Sequence, residues 1–472
     1  MEPTKFNCIT LIAVIRRSQL SSFGYKKNKK PEVMAKEMGT IVESGNKYRV
    51  GKVQSIFILV VLTLLYTMSF ADRSILSVVL EPMKTALGLT DTELGVIQSM
   101  FSIGMAILTI PASFFVERWS RRGSIGIMAI MWSFATLATG FATKFVHLII
   151  VRFLVGVGEA GYNPGSTGWL SLVFSKERRG RVLSIFGIGA ALGTILGLII
   201  GGIIVTRTGD WRAPFFVFAV PGIILGIITF FFKDYATVKE KGEHALDKQH
   251  LSEWIGILKI KSVLFNTLGM TFWGLFYITF LGWLPALIMR VYGLDSAQAG
   301  TIVGVAALLA IVGMPFGGWI ADIWQRRHKA GRAYMMTVAQ LLNMILTGML
   351  LFSLGGPLQI FIIILVAQTV IVTMIAPMST SISTDIIPVK HRITGHSLTI
   401  LIGYIAGAAL GPWLVGLISD AFGGGSEGLK IGFLFIYPAL LLAVIFHFVN
   451  ARKYYAKDCA RCSDQVFEEV KK

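Results

Sequence analysis

Long apolar runs separated by short charged stretches make up most of this chain, and the runs do not alternate in polarity. They cover about 55–80, 94–116, 124–143, 145–174, 182–206 and 213–232. After a charged stretch they resume at 263–289, 300–323, 333–353, 358–387, 395–419 and 431–450. An α-helix needs about 20 apolar residues to cross a bilayer, so the pattern predicts twelve transmembrane helices in two groups of six. Strands of a membrane barrel would read as segments of about 10 residues with alternating polarity, which excludes that architecture. The expectation is an all-α integral membrane protein with an N-terminal half at 55–232, a linker at 233–262 and a C-terminal half at 263–450.

Composition agrees with that reading. Hydrophobic residues make up 54% and charged residues only 15%, whereas soluble proteins carry about 25% charged residues. A net charge of +18 would raise nucleic-acid binding in a soluble domain. Here the placement of the charge speaks instead for topology, because Lys and Arg are retained on the cytoplasmic side. Loops after the even-numbered spans hold Arg118, Arg121, Arg122, Lys176, Arg178, Arg179, Arg181, six lysines of the linker, Arg326, Arg327, Lys329, Arg332, Lys390 and Arg392. The opposite loops hold Lys84, Lys144, Arg207, Arg212, Arg290 and Lys430. Nineteen against six puts both termini in the cytoplasm, with 1–54 a disordered basic arm and 451–472 a tail. The expected location is the plasma (inner) membrane and the expected state a monomer in the lipid bilayer, without nucleic acid. Residues 6–15 are apolar but too short to span, and no cleavage site follows. Met34 and Met38 remain alternative starts. Cys8, Cys459 and Cys462 lie only in the terminal segments, so no disulfide framework is expected.

The halves resemble each other. The fifth span carries Gly189, Gly193, Gly197 and Gly201, and the eleventh carries Gly403, Gly407 and Gly411. Gly-Ala-Ala-Leu-Gly occurs in both, and Lys176-Glu177-Arg178 before one is matched by Lys390-His391-Arg392 before the other. A duplicated six-helix unit explains this; for the glycine rows close helix packing without specific function is the plainer reading, and either reading supports a paired-repeat bundle.

Ionisable residues inside spans are the candidate chemistry, since a charge at bilayer depth costs on the order of 3 kcal/mol even on the mildest scale. Asp72 and Arg73 lie in the first span, Arg152 and Glu159 in the fourth. Helical spacing sets Tyr66, Ser69, Arg73 and Ser77 on one face, and Arg152, Gly156, Glu159 and Asn163 on another. Arg152 and Glu159 are two turns, about 10 Å, apart, so pairing across the two spans is expected rather than between them. A static ion network is the plainer alternative. The second half offers Trp273, Tyr277 and Trp283, a stripe of Thr369, Thr373, Thr380 and Ser383, then Asp385 near a gate, His396 and Tyr404. No phosphate-binding loop, metal-ligand cluster or nucleophilic elbow is present, so neither cofactor nor enzymatic chemistry is expected.

Between the second and third spans, Ser113, Glu117, Arg118, Ser120, Arg121 and Arg122 stand in an order that resembles the loop signature of the major facilitator superfamily, with serines at both glycine positions. A degraded copy places Gly318, Asp322, Arg326 and Arg327 at the equivalent point of the second half. Arg152-Phe153-Leu154-Val155-Gly156-Val157-Gly158-Glu159-Ala160-Gly161-Tyr162 resembles the superfamily's fourth-helix motif. With Ala71-Asp72-Arg73 it is similar to the spinster-like branch, and an anion-cation symporter branch has similar patterns. The resemblance implies the major facilitator fold and a secondary transporter working by alternating access, with its site near the midplane. It further implies proton coupling by Asp72 and Glu159, and substrate binding or charge pairing by Arg73 and Arg152. Tyr66, Asn163, Tyr277 and Thr373 would line the site, and Glu117, Arg118, Arg121, Arg122, Asp322, Arg326 and Arg327 would form the gate. The implied substrate is an organic anion or a lipid-like amphiphile. A passive facilitator or channel of the same fold, or a sensor descended from a transporter, stays open.

Overall fold

The computed structural model describes residues 51–232, 256–387, 399, 402–403 and 407–462, excluding the side chains at 52, 110, 113, 114, 117, 118, 176, 177 and 310. The basic arm, most of the linker, His396, Tyr404 and the side chains of Glu117 and Arg118 therefore lie outside it. The first half comprises α1 (Lys52–Leu87), α2 (Asp91–Arg118), α3 (Arg121–Thr139), α4 (Phe145–Glu159), α5 (Tyr162–Val173), α6 (Lys176–Thr208) and α7 (Ala213–Thr229). The second comprises α8 (Lys261–Tyr292), α9 (Ser296–Leu308), α10 (Ala310–Arg327), α11 (Gly331–Phe352), α12 (Leu358–Thr373), α13 (Ile375–Ile386), α14 (Gly411–Ala421), α15 (Gly425–Ile436) and α16 (Pro438–Val449). No strand occurs among the described residues. Nine helical runs there are long and apolar enough to cross a membrane. The twelve apolar stretches map onto these elements in order, the start of the eleventh being outside the description.

Local chemistry repeats between the halves. Helix α1 ends at Gly88 with φ +64° and α8 ends at Gly293 with φ +67°, a left-handed backbone that glycine adopts without a Cβ penalty. Two residues further on, Thr90 with Glu93 and Asp295 with Gln298 form capping boxes that start α2 and α9; each satisfies two otherwise orphaned backbone donors. The glycine rows have equivalent jobs as well. A Cβ at Gly189, Gly193 or Gly197 would strike backbone carbonyls of Thr63, Thr67 or Ala71 in α1, and one at Gly407 or Gly411 would strike α8 near Leu275 and Thr279. The row therefore closes α6 on α1 and the eleventh span on α8.

Several spans are not single helices. Pro164 cannot accept the turn that places Ala160 four residues before it, and α4 ends at Glu159 before α5 begins at Tyr162. Pro377 acts likewise on Thr373, dividing α12 from α13 at Met374. Pro438 starts α16 directly after α15. The last helix also runs on past Asn450 to Cys462. Tyr455 holds that extension in place, fully buried in the second-half core with its hydroxyl donating to Asp385.

Candidate functional site

The four intramembrane charges meet as two pairs across α1 and α4. Arg73 pairs with Glu159 Oε2, its Nε donating at 2.8 Å, and Ser69 Oγ donates to the same oxygen at 2.7 Å. Arg152 Nη1 lies 3.5 Å from Asp72 Oδ2. The two pairs differ in exposure: the Arg73 side chain is 21% exposed, while Asp72 and Arg152 are at 4% and 1%. Arg73 is framed by rings, its guanidinium 4.6 Å from Phe70 and 4.7 Å from Phe101, and Arg152 sits 4.9 Å from Phe215. Arginine above an aromatic face keeps some electrostatic stabilisation in place of water. Glu159 Oε1, Arg152 Nε and Arg152 Nη2 are buried and make no hydrogen bond among the described residues. Such atoms are costly to leave unmade, so this cluster holds capacity for a further proton or ligand.

The break before Pro164 separates Asn163 from the Arg152–Glu159 helix, so a single helical face does not carry all four residues. Asn163 Nδ2 instead donates to the Tyr66 hydroxyl at 2.7 Å. Tyr66 stacks on Phe186 of α6 with ring centroids 4.4 Å apart. Gly156 packs on α2 at Phe101. In the second half Tyr277 stacks on Trp273 at 4.9 Å. Thr373 returns its hydroxyl to its own helix, at Thr369 and Val370, and packs at Gly313 of α10. Trp283 is fully buried, with Nε1 donating to the Pro412 carbonyl at 3.4 Å, so it packs α8 against α14 within the second half.

The residues expected at the gate fall into two local clusters. Arg122 donates to the carbonyls of Phe230 and Phe232 just beyond α7, where positive charge is favourable at a helix C-terminus. Arg121 Nη1 is buried without a hydrogen bond among the described residues. In the second half Asp322 pairs with Arg332 at 2.7 Å, and Arg332 continues to Asp385 at 2.6 Å. Arg332 is thus the partner that the motif alone did not indicate. Arg326 and Arg327 are exposed beside this cluster.

A third cluster, which the sequence pattern did not single out, lies at the opposite end of the bundle. Asp91 at the start of α2 receives Arg290 of α8 through Nη2 and Nη1, at 2.7 and 2.8 Å. It also receives Lys84 at 2.6 Å and Ser419 of α14 at 2.6 Å. Arg290 reaches Glu81 at 2.7 Å, and Asp420 accepts from the backbone of Asp91 and Thr92. These bonds join the two halves. Around them the backbones touch: Gly95 lies against Pro412 and Gly416 against Asp91, while across the bundle Gly300 lies against Leu198 and Gly202 against Ser296. Those two seams are related by the internal repeat. The one trace this cluster leaves in the sequence, the shared Leu-Thr-Asp and Leu-Asp-Ser turns after Gly88 and Gly293, marks the span ends but not the contact between them.

Known proteins with the same helices identify the class. The Major Facilitator Superfamily profile matches residues 62–330, and the chain belongs to that superfamily of membrane transporters. Protein spinster of Drosophila melanogaster is 24% identical over 375 residues, covering 77% of this chain and 62% of that protein. A hexuronate transporter of Bacillus subtilis is 28% identical over 273 residues, covering 56% and 64%. Among solved structures, a bacterial homologue of the human lysosomal transporter spinster, inward-facing and unoccupied, superposes with a TM-score of 0.76 at 22% identity, covering 87% of this chain and 99% of that one. The chain is therefore a multi-pass integral membrane protein of transporter type and not an enzyme.

Proposed function

We propose that this protein is a proton-coupled secondary transporter of the spinster-like branch, moving an organic anion or anionic amphiphile by alternating access. The observation that carries the reading is the Arg73–Glu159 pair: a partly exposed guanidinium whose carboxylate partner is fully buried and has one oxygen still unbonded. Protonating Glu159 neutralises Arg73's partner and frees that cation for a substrate anion; losing the proton restores the pair and expels the anion. Asp72, held by the deeply buried Arg152, is the second acid of the relay. Tyr66 and Asn163, bonded to each other, would contribute neutral hydrogen bonds, and the stacked Trp273 and Tyr277 would supply an apolar wall from the other half. A protonation event can drive the cycle only if it favours one conformation. The two halves clasp at the Asp91 end, whereas Asp322, Arg332 and Asp385 bond within the second half. With the arginine-rich end in the cytoplasm, this is an inward-open conformation, and Glu117 to Arg122 with Asp322, Arg326 and Arg327 form the gate that shuts in the other state.

The likeness to spinster and to a hexuronate transporter supports both substrate classes. Transport into proteoliposomes separates them: lysophospholipid and hexuronate uptake are measured with and without an imposed pH gradient. Uptake of one class, accelerated severalfold by the gradient, is expected. Uptake of either without any gradient response returns the passive facilitator as the function.

A further inference from the structure

At the arginine-rich end of the second half, α10 and the start of α11 border an open surface groove of about 490 Å³ lined by Ile320, Ile323, Trp324, Arg327, His328 and Met335. It lies outside the Asp322–Arg332–Asp385 cluster, and of its lining the transport reading uses only Arg327, as a residue of the gate in the other state. Its composition has two parts. Ile320, Ile323, Met335 and the Trp324 indole form an apolar wall. Arg327 and His328 form a polar rim where the helix ends. Asp322, the acid on that turn, is already taken by Arg332, and Arg327 has no ion pair with any described carboxylate. His328 Nδ1 accepts from the backbone N–H of Ala330 at 3.1 Å. That bond puts the proton of the neutral ring on Nε2, leaving a donor for something outside the chain. One, two and three turns before the rim, Trp324, Trp319 and Phe316 are exposed at 38%, 61% and 45%. Outward aromatic side chains followed by arginines mark the depth where acyl chains give way to headgroups.

The geometry points to a binding site for one anionic phospholipid of the surrounding leaflet, with its phosphate on Arg327 and His328 and an acyl chain along Ile320, Ile323 and Trp324. A soluble phosphate would satisfy the rim but leave the apolar wall in water. A zwitterionic lipid would cover the wall but bring its own cation to an unpaired guanidinium. An anionic headgroup with a chain attached meets both halves of the groove, as basic pockets between membrane helices do for acidic lipids.

The test uses the full chain in detergent micelles, titrated with phosphatidylglycerol, phosphatidylcholine or inorganic phosphate, and the retained lipid is read by native mass spectrometry. The wild-type chain is expected to retain phosphatidylglycerol at least fivefold better than phosphatidylcholine. R327Q with H328A is expected to erase that preference, and R207Q, an exposed arginine at the other end of the bundle, to leave it intact. Equal retention of the two lipids, or an unchanged preference in R327Q with H328A, overturns the site. Displacement of the lipid by inorganic phosphate shows a free-anion site and overturns it too. If R327Q with H328A does not fold, brominated phosphatidylglycerol gives a second reading: it should quench wild-type tryptophan fluorescence more than brominated phosphatidylcholine does, and Trp324→Phe should remove the difference. Quenching that is equal for the two lipids, or unaffected by Trp324→Phe, overturns the proposal.

Discussion

Glu159 and Asp72 are both buried acids paired with arginines, yet their surroundings assign them different sensitivities to substitution. Glu159→Gln keeps the shape, and Ser69 still has an oxygen to donate to, so the protein should fold. What it loses is the charge that draws Arg73 back. Substrate exchange in proteoliposomes should continue, while acceleration by a pH gradient should disappear; a full gradient response in Glu159→Gln would remove Glu159 from the coupling step. Arg152→Ala acts on the fold itself, because it leaves Asp72 buried without its cation, which costs about 3 to 5 kcal/mol for a broken buried pair. A clear drop in melting temperature is expected, with most of it recovered when Asp72→Asn is added. Failure of that rescue would show that Arg152 acts by packing against Phe215. These pairs were legible in the sequence because a charge at membrane depth has few ways to be tolerated, and the two-turn separation of Arg152 and Glu159 already directed each toward α1.

Elements were harder to read than charges. The fourth span looks continuous by hydropathy, and only the steric demand of Pro164 on Ala160 divides it, moving Asn163 from the face of Arg152 to a bond with Tyr66. The clasp around Asp91 was illegible for another reason. Glu81, Lys84, Arg290 and Asp420 sit at span ends, where charge is ordinary, and periodicity along one helix says nothing about which helix of the other half it meets. Its role can be tested by two changes with unrelated physics. Asp91→Asn removes the charge shared by Arg290 and Lys84 and weakens charge-assisted bonds. Gly416→Val leaves every charge and inserts bulk where α14 lies against the backbone of Asp91. Both should shift the population toward opening at this end, so a cysteine placed at Gln98 should react severalfold faster with an impermeant maleimide supplied from the Asp91 side. Unchanged labelling in Gly416→Val would mean that this seam does not separate during the cycle.

At the scale of the molecule the repeat was the most readable feature, since paired turns and glycine rows must recur if two halves fold alike. The sequence could not say which end would be closed: in the proposed alternating-access cycle the same interfaces serve both conformations, and the conformation adopted would depend on the balance between the clasp and the gate. Sidedness therefore decides what the closed end means. On the orientation expected from the loop charges the Asp91 end lies outside, and a labelling site near the start of α15 tests it. Gly424 is a poor site, because its φ of +68° with ψ of −155° suits glycine alone. Glu427 is exposed one turn later within α15 and accepts cysteine without backbone strain. With Cys8, Cys459 and Cys462 replaced by serine, Glu427→Cys should label from outside intact cells, and tags inserted near Glu243 or after Lys472 should remain inaccessible until the membrane is opened. The reverse pattern would turn the molecule over: the clasp would become the cytoplasmic gate, the structure outward-open, and Glu159 would take its proton from the cytoplasm.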